Sequence, residues 1–282
     1  MSTDIAVDTL VNGRQRDQIV ATDRGLLFGD GVFETMGFYR GQCPLWKLHM
    51  ARLQRGCLAL GLESPDFDLV RRECETVTEN CTRAVVRLTV TRGSGGRGYW
   101  PDSTESAPTK QSRIVHRRAW PKGLKKAQNH GMSAMISSIR LTEQPALAGL
   151  KHCNRIEQIL AAQECQRYAV EEAVLLDQVG RVAEVISSNL LIRLNHQWRA
   201  PLSPAAVAGV GLEWLLSSAP IAIDVDVVDM NDLEQADSIL VINSVLGIRP
   251  LRQLNERKLI VDSECRQLQS HWNHHLIPPC DD

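Results

Sequence analysis

The stretch Ala148-Gly149-Leu150-Lys151-His152-Cys153-Asn154-Arg155-Ile156-Glu157-Gln158-Ile159-Leu160 constrains this chain more than any other, because two backbone regimes meet inside it. Ile156, Ile159 and Leu160 recur at helical spacing and are expected to bury one face of a helix, whereas the Gly149-Leu150 approach reads as strand or loop. Lys151 sits at the junction. A lysine at the inner end of such a junction can lose solvation, which disfavours its ammonium form and frees the amine to attack an aldehyde. Taken alone, the spacing fits an ordinary surface lysine ahead of a helix better.

The rest of the chain alternates strand and helix signals. Ile5 to Val11 reads as a strand closed at Asn12-Gly13, and Val32 to Tyr39 as a strand followed by a hairpin turn at Arg40-Gly41. Leu45 to Leu60 has helical spacing, with Leu48, Leu53, Cys57, Leu58 and Leu60 as its expected apolar side, and Phe67 to Val77 predicts a second helix. Strands are predicted over Arg83 to Thr91, Ile114 to Ala119 and Ser133 to Ile139. Between the last two, charge, Pro and Gly cluster over 120–130 while apolar periodicity stops, which marks a linker. Further on, Glu172 to Asp177 and Arg181 to Ile186 form a hairpin pattern around Gln178-Val179-Gly180, with 187–191 continuing the return strand. Leu212 to Ser218, Asn231 to Gln235 and Ser263 to His275 read as helices, and Ser238 to Val245 as a buried strand.

Several motifs carry less than they promise. Arg92 to Pro101 satisfies G-x-G-x-x-G, but Tyr99-Trp100-Pro101 cannot open the helix that a dinucleotide fingerprint needs, so the segment reads as a glycine-permitted turn. The basic run from Lys110 to Lys126 has no aromatic interleaving beyond Trp120, and it suits a solvated linker better than nucleic acid. His271, His274 and His275 have no carboxylate or cysteine beside them to complete a metal site, so no metal is expected. The eight cysteines contain no C-x-x-C pair and read as reduced thiols.

A net charge of -1 supplies no field toward nucleic acid or an anionic membrane. No basic segment followed by an apolar run opens the chain, and no run of about 18 apolar residues occurs, so a soluble cytoplasmic protein without membrane partners is expected. The 282 residues suffice for one large or two modest domains.

LAGLKHCNRIEQILAAQE, with Lys151 in it, resembles the cofactor-lysine segment of the class IV (fold type IV) pyridoxal-phosphate enzymes, the family of branched-chain aminotransferases, D-amino-acid transaminases and aminodeoxychorismate lyases. RGLLFGDGVFETM followed by HMARL resembles the family's N-terminal signature, EVISSNLLIR its glutamate strand, and Ala208-Gly209-Val210-Gly211 its phosphate loop. The resemblance spans approximately residues 20 to 250. It narrows at RGSGGRGY, which resembles the corresponding loop of the bacterial aminodeoxychorismate lyases.

The resemblance implies a two-domain α/β fold: a smaller N-terminal α/β sandwich over 1–119, a linker over 120–130, and a larger α/β pseudo-barrel over 131–282 that carries the cofactor lysine. It implies pyridoxal 5'-phosphate as cofactor, held between the domains, and commonly a homodimer. Lys151 is then the cofactor-bearing and catalytic lysine, with Thr35 as a second catalytic candidate. Arg52 is the phosphate arginine, and Glu184 the carboxylate facing the pyridine nitrogen, where it keeps the ring protonated. Val210 and Gly211 offer backbone N–H groups to the phosphate at a helix start. Asn243 and Ser244 lie in a late loop on the phosphate and substrate side. Arg97 and Arg155 are the candidates for substrate binding, Arg97 through the planar fork that suits a carboxylate.

Three positions depart from many relatives: Thr35 where branched-chain aminotransferases usually carry glycine, Gly211 where many members have threonine, and Arg155 where many aminotransferases have tyrosine. The implied reaction converts 4-amino-4-deoxychorismate to 4-aminobenzoate and pyruvate, a step supplying folate synthesis. A D-amino-acid or branched-chain transaminase, or a pyridoxal-phosphate-binding protein without turnover, are the alternatives.

Overall fold

The structure is a computed structural model, and it describes residues 8–102 and 111–277. The start of the strand expected from Ile5, together with Lys110 and Cys280, lies outside the described residues. The chain divides into two compact units, one running to Trp120 and including Leu150–Asn154, the other holding Pro121–Gly149 and the chain from Arg155 onward.

The first unit is an antiparallel sheet backed by helices. Its elements are β1 (Thr9–Val11), β2 (Arg14–Gln15), α1 (Arg24–Phe28), β3 (Gly31–Tyr39), α2 (Trp46–Ala59), α3 (Phe67–Val77), β4 (Arg83–Thr91) and β5 (Ser112–Arg118). The strands lie in the order β2-β1-β5-β4-β3, and β3 pairs with β4 without a break from Gly31 opposite Thr91 to Tyr39 opposite Arg83. Met36, Phe38, Val86, Leu88 and Val115 from the sheet meet Met50, Leu53 and Cys57 of α2 and Val70 and Cys74 of α3 in one core. Asp66 caps α3 by accepting from the backbone N–H groups of Asp68 and Leu69.

One expectation changes here, on the buried side of α2. The face of α2 that meets β3 is Trp46, His49, Met50, Arg52, Leu53, Gly56 and Cys57, while Leu58 points to solvent at 79% exposure. The buried stripe repeats as the pairs His49-Met50, Arg52-Leu53 and Gly56-Cys57, and at about 100° per residue the next position, Leu58, falls outside it. The turn expected at Arg40-Gly41 closes through mutual backbone bonds between Tyr39 and Gln42, and α2 follows it as the spacing predicts.

The second unit contains α4 (Leu124–His130), β6 (Met132–Leu141), a 3-10 turn (Pro145–Leu147), α5 (Ile156–Tyr168), β7 (Glu172–Asp177), β8 (Val182–Val185), β9 (Asn189–Leu194), β10 (Gln197–Pro201), α6 (Val210–Ser218), β11 (Ile223–Asp226), α7 (Met230–Gln235), β12 (Ser238–Asn243), β13 (Gly247–Leu254), β14 (Arg257–Lys258) and α8 (Ser263–Leu276). Its nine strands run β11-β10-β9-β12-β13-β6-β7-β8, with β14 beside β13. The sheet curls, because β8 at one end of this path also packs against β9 and β10. Every residue of β7, β8 and β9 is buried, the polar Glu172, Asp177, Glu184, Asn189 and Arg193 included.

The segment read as a linker contains α4. Ala127 packs against the core and no residue of that helix is fully buried, so no apolar period announces it. Its C-terminal carbonyls are satisfied from far along the chain: Arg266 donates to Gln128 O at 2.7 Å and Asn129 O at 2.6 Å, and Gln269 donates to Gln128 O at 3.0 Å. Residues 187–191 do not prolong β8 either. Val185 N bonds Ser188 O, the chain bends, and β9 pairs instead with β10 and β12.

Candidate active site

Lys151 sits in a short extended segment laid along the start of β3. Phe33 N donates to Lys151 O at 2.9 Å, Cys153 N donates to Gly31 O at 2.9 Å, and Val32 and His152 form a bridge. The segment is pinned once more where the Asn154 side chain donates to Gly29 O at 3.3 Å. Gly29 has φ of 67° as the left-handed cap of α1, and a Cβ there would stand 2.2 Å from Asn154 Oδ1. Both the backbone angle and the contact exclude a side chain.

The half-buried Lys151 places its Nζ 4.6 Å from the centroid of the Phe33 ring, and Arg87 places its guanidinium carbon 3.8 Å from the same centroid. The electron-rich ring face attracts both cations. Thr35 follows Phe33 by two residues, so it faces the same side of β3, half-buried and opposite Arg87 in register. One face of β3 thus collects an amine, a hydroxyl and a guanidinium.

The opposite face carries Glu34, which is fully buried. Arg52 meets it as a fork, Nε to Oε1 at 2.7 Å and Nη2 to Oε2 at 2.6 Å, and His49 Nδ1 lies 2.6 Å from Oε2. Burial pulls the Glu34 carboxyl upward, but Arg52 and His49 together pull harder and hold it at about 2. Burial likewise keeps His49 neutral, Glu34 opposing. A carboxylate can only accept, so the His49 proton is on Nδ1; its Nε2 is buried without a hydrogen-bond partner. Glu34 and His49 were passed over in the sequence. The signal was present: alternation sets Glu34 on the face opposite Phe33 and Thr35, and His49 and Arg52 are one turn apart on a helix.

In the second unit, Glu184 on β8 is 5% exposed. Its Oε1 accepts from Gln158 Nε2 at 3.2 Å and its Oε2 from Val207 N at 2.9 Å. Gln158 Oε1 remains buried without a partner. Gln158 belongs to the buried side of α5, with Ala161 and Cys165. This corrects the expected helix face, since Ile156, Ile159 and Leu160 are exposed at 63%, 52% and 40%. The need to support Glu184 and the adjoining strands turns the polar Gln158 inward and leaves the aliphatic side outward.

Val210 and Gly211 begin α6, whose start is capped by no side chain. A Cβ on Gly211 would stand 3.2 Å from Trp272 and 3.3 Å from both Asn243 C and Ser244 N, so the first turn of α6 presses against the β12–β13 turn. Asn243 shapes that turn. Its amide donates to Ser188 Oγ at 2.9 Å and Ser187 O at 3.3 Å, while its Oδ1 accepts from Val245 N and Leu246 N. The structure therefore groups Val210, Gly211, Asn243 and Ser244, with the Asn243 side chain engaged in the turn itself.

Arg97 is exposed on the loop after β4, where Arg97 N donates to Trp100 O at 2.9 Å and Trp100 N to Arg97 O at 3.1 Å. Arg155 is half-buried at the N-cap of α5 and makes no capping bond through its side chain. Among the described residues no group of three or more His, Cys, Asp or Glu could hold a metal, the seven cysteines are free thiols, and no helix is long and apolar enough to cross a membrane.

Known proteins resemble this arrangement along nearly the whole chain. The chain is 31% identical over 275 residues to the aminodeoxychorismate lyase of Vibrio harveyi, an alignment covering 93% of this chain and 98% of the relative. It matches the crystal structure of 4-amino-4-deoxychorismate lyase from Pseudomonas aeruginosa with a TM-score of 0.87 and 36% identity, covering 94% and 98% of the two chains. The branched-chain amino acid aminotransferase of Escherichia coli shares the fold, with a TM-score of 0.84 at 21% identity over 94% of this chain and 93% of that one. The family model for amino-transferase class IV matches residues 31–254, which include Lys151 and its pairing to β3, and the chain belongs to that family.

Proposed function

We propose that this protein is a pyridoxal-phosphate-dependent lyase that converts 4-amino-4-deoxychorismate to 4-aminobenzoate and pyruvate, supplying folate synthesis in the cytoplasm. The observation that carries the reading is Lys151 fixed on the edge of β3, in a chain 36% identical to a solved lyase of that name.

The residues fit the cofactor. Val210 and Gly211 open a helix with no side-chain cap, as suits backbone N–H groups that bind a phosphate, and Gly211 lies close against Trp272 and the Asn243–Ser244 turn. Arg52 is the proposed phosphate arginine, its fork held in plane by Glu34, and Ser244 a further phosphate-side contact. Glu184, held by Gln158 and Val207, is the proposed partner of the pyridine nitrogen. Lys151 is the amine that would hold the aldehyde carbon until the substrate amine displaced it and left Nζ free. When bound, pyridoxal phosphate supplies an electron sink beside the carbon that loses its proton.

Lys151 Nζ takes the proton from the amino-bearing carbon of the substrate. The carbon–oxygen bond to the enolpyruvyl group then breaks, and the carbocycle becomes aromatic. The protonated Lys151 or the Thr35 hydroxyl returns a proton to the departing enolpyruvate, which completes pyruvate. Arg97 is the proposed ligand of a substrate carboxylate, with Arg155 as a second candidate. A homodimer is part of the proposal, supported by the exposed aliphatic side of α5, since soluble monomers rarely leave such patches bare.

Holoenzyme incubated with 4-amino-4-deoxychorismate should release 4-aminobenzoate and pyruvate in equal amounts. Faster transfer of amino groups from alanine or leucine to a keto acid would replace the lyase reading with the transaminase one.

A further inference from the structure

The loop that carries Arg97 has little stiffness of its own. Gly93, Gly95, Gly96 and Gly98 all take positive φ, and no helix or strand runs through the segment. A loop so rich in glycine has many conformations to lose, and something must hold the one observed.

Arg24 does so from below. It is 4% exposed at the start of α1. Its Nη1 donates to Gly98 O at 2.8 Å and reaches Gly95 O at 3.5 Å, and its Nη2 donates to Tyr99 O at 3.0 Å. These carbonyls bracket Arg97 in sequence. The remaining Nε donates to Asp30 Oδ2 at 2.9 Å, and Asp30 is held in turn by Arg92 through Nε at 2.8 Å and Nη2 at 3.1 Å. Phe28, one turn along α1, lays its ring 5.4 Å from that of Tyr99, with the Arg24 guanidinium 5.0 Å from the Phe28 ring. The planar fork of arginine is what allows one side chain to serve a carboxylate and separate carbonyls together.

We infer that Arg24 is a positioning residue for substrate recognition: by fixing the carbonyls on both sides of Arg97 it sets how that guanidinium is presented, and so sets affinity for the substrate carboxylate without touching it. This rests on Arg97 being the carboxylate ligand. A charge partner for Asp30 alone would be replaceable by lysine. A holder of the loop would not, because lysine offers a point charge with no fork.

The test compares holoenzymes carrying Arg24→Lys, Arg97→Ala, both together, and Phe28→Leu. Arg24→Lys should raise KM for 4-amino-4-deoxychorismate about tenfold, the loss of roughly one hydrogen bond's worth of affinity, with kcat changed much less. Added to Arg97→Ala it should raise KM no further, since both changes remove the same contact. Trypsin should also cut after Arg97 faster in Arg24→Lys than in the native protein, a readout independent of turnover. Phe28→Leu, which leaves the Arg24–Asp30 pair intact, should move KM and cleavage the same way by about threefold and serves if Arg24→Lys fails to fold. A native KM in Arg97→Ala would overturn the Arg97 reading and the inference with it. A raised KM in Arg97→Ala combined with a native KM in Arg24→Lys, or with effects of the two changes that multiply independently, would overturn the role of Arg24 alone.

Discussion

Glu34, Arg52 and His49 show how one buried residue couples stability to the site. Breaking a buried, hydrogen-bonded ion pair by removing one charge typically costs about 3–5 kcal/mol, because the remaining charge is stranded out of water. Glu34→Gln is expected to destabilise the apoprotein by that order at neutral pH. It should also change the acid limb. The Glu34 carboxyl is held at about 2, below its ordinary 4.5, so the stability it contributes is fully present above pH 4.5 and is lost as pH falls toward 2. Urea unfolding between pH 2 and 5 should show a shallower slope against pH for Glu34→Gln than for the native chain. An unchanged slope would mean that Glu34 is not ionised in the fold. Here the sequence is only half legible: the resemblance points to Arg52, while nothing local marks Glu34, in the same motif, because its partners lie 15 and 18 residues away. Only the strand's alternation, set against the helix period, brings the three together.

Among the elements, α6 bears most directly on the cofactor reading. Its first turn is packed so closely against Trp272 and the β12–β13 turn that Gly211 has no room to spare. Many relatives carry threonine here, and Gly211→Thr would supply the hydroxyl they have. In this chain the added Cβ should overpack instead, costing about 1–3 kcal/mol of stability and lowering pyridoxal-phosphate affinity. Thermal unfolding and equilibrium dialysis read the two effects, and a gain in affinity at native stability would contradict the packing. The lesson of α5 is the reverse. Helical spacing correctly located the helix, yet the apolar side was assigned inward and lies outward, because period alone does not say which face a fold buries. The inward side was decided by Glu184, 26 residues from Gln158 in sequence.

Across the molecule, elements with a clear local period are legible: β4 and α3 fall where the pattern places them, and β3 differs by one residue. Elements held by distant partners are not. The helix α4 depends on Arg266 and Gln269, and β10 and β13 find their neighbours through the curled sheet. The same holds for Leu150–Asn154, which a linear reading leaves with its sequence neighbours although it packs with the first unit, by pairing with β3 across more than a hundred residues. That pairing sets Lys151 apart from the other lysines among the described residues, and the proposed chemistry passes through its amine. Borohydride reduction of the protein loaded with pyridoxal phosphate, followed by peptide mass mapping, tests this most directly: the account predicts a pyridoxyl group on Lys151, and an adduct on a different lysine, or on none, would contradict it.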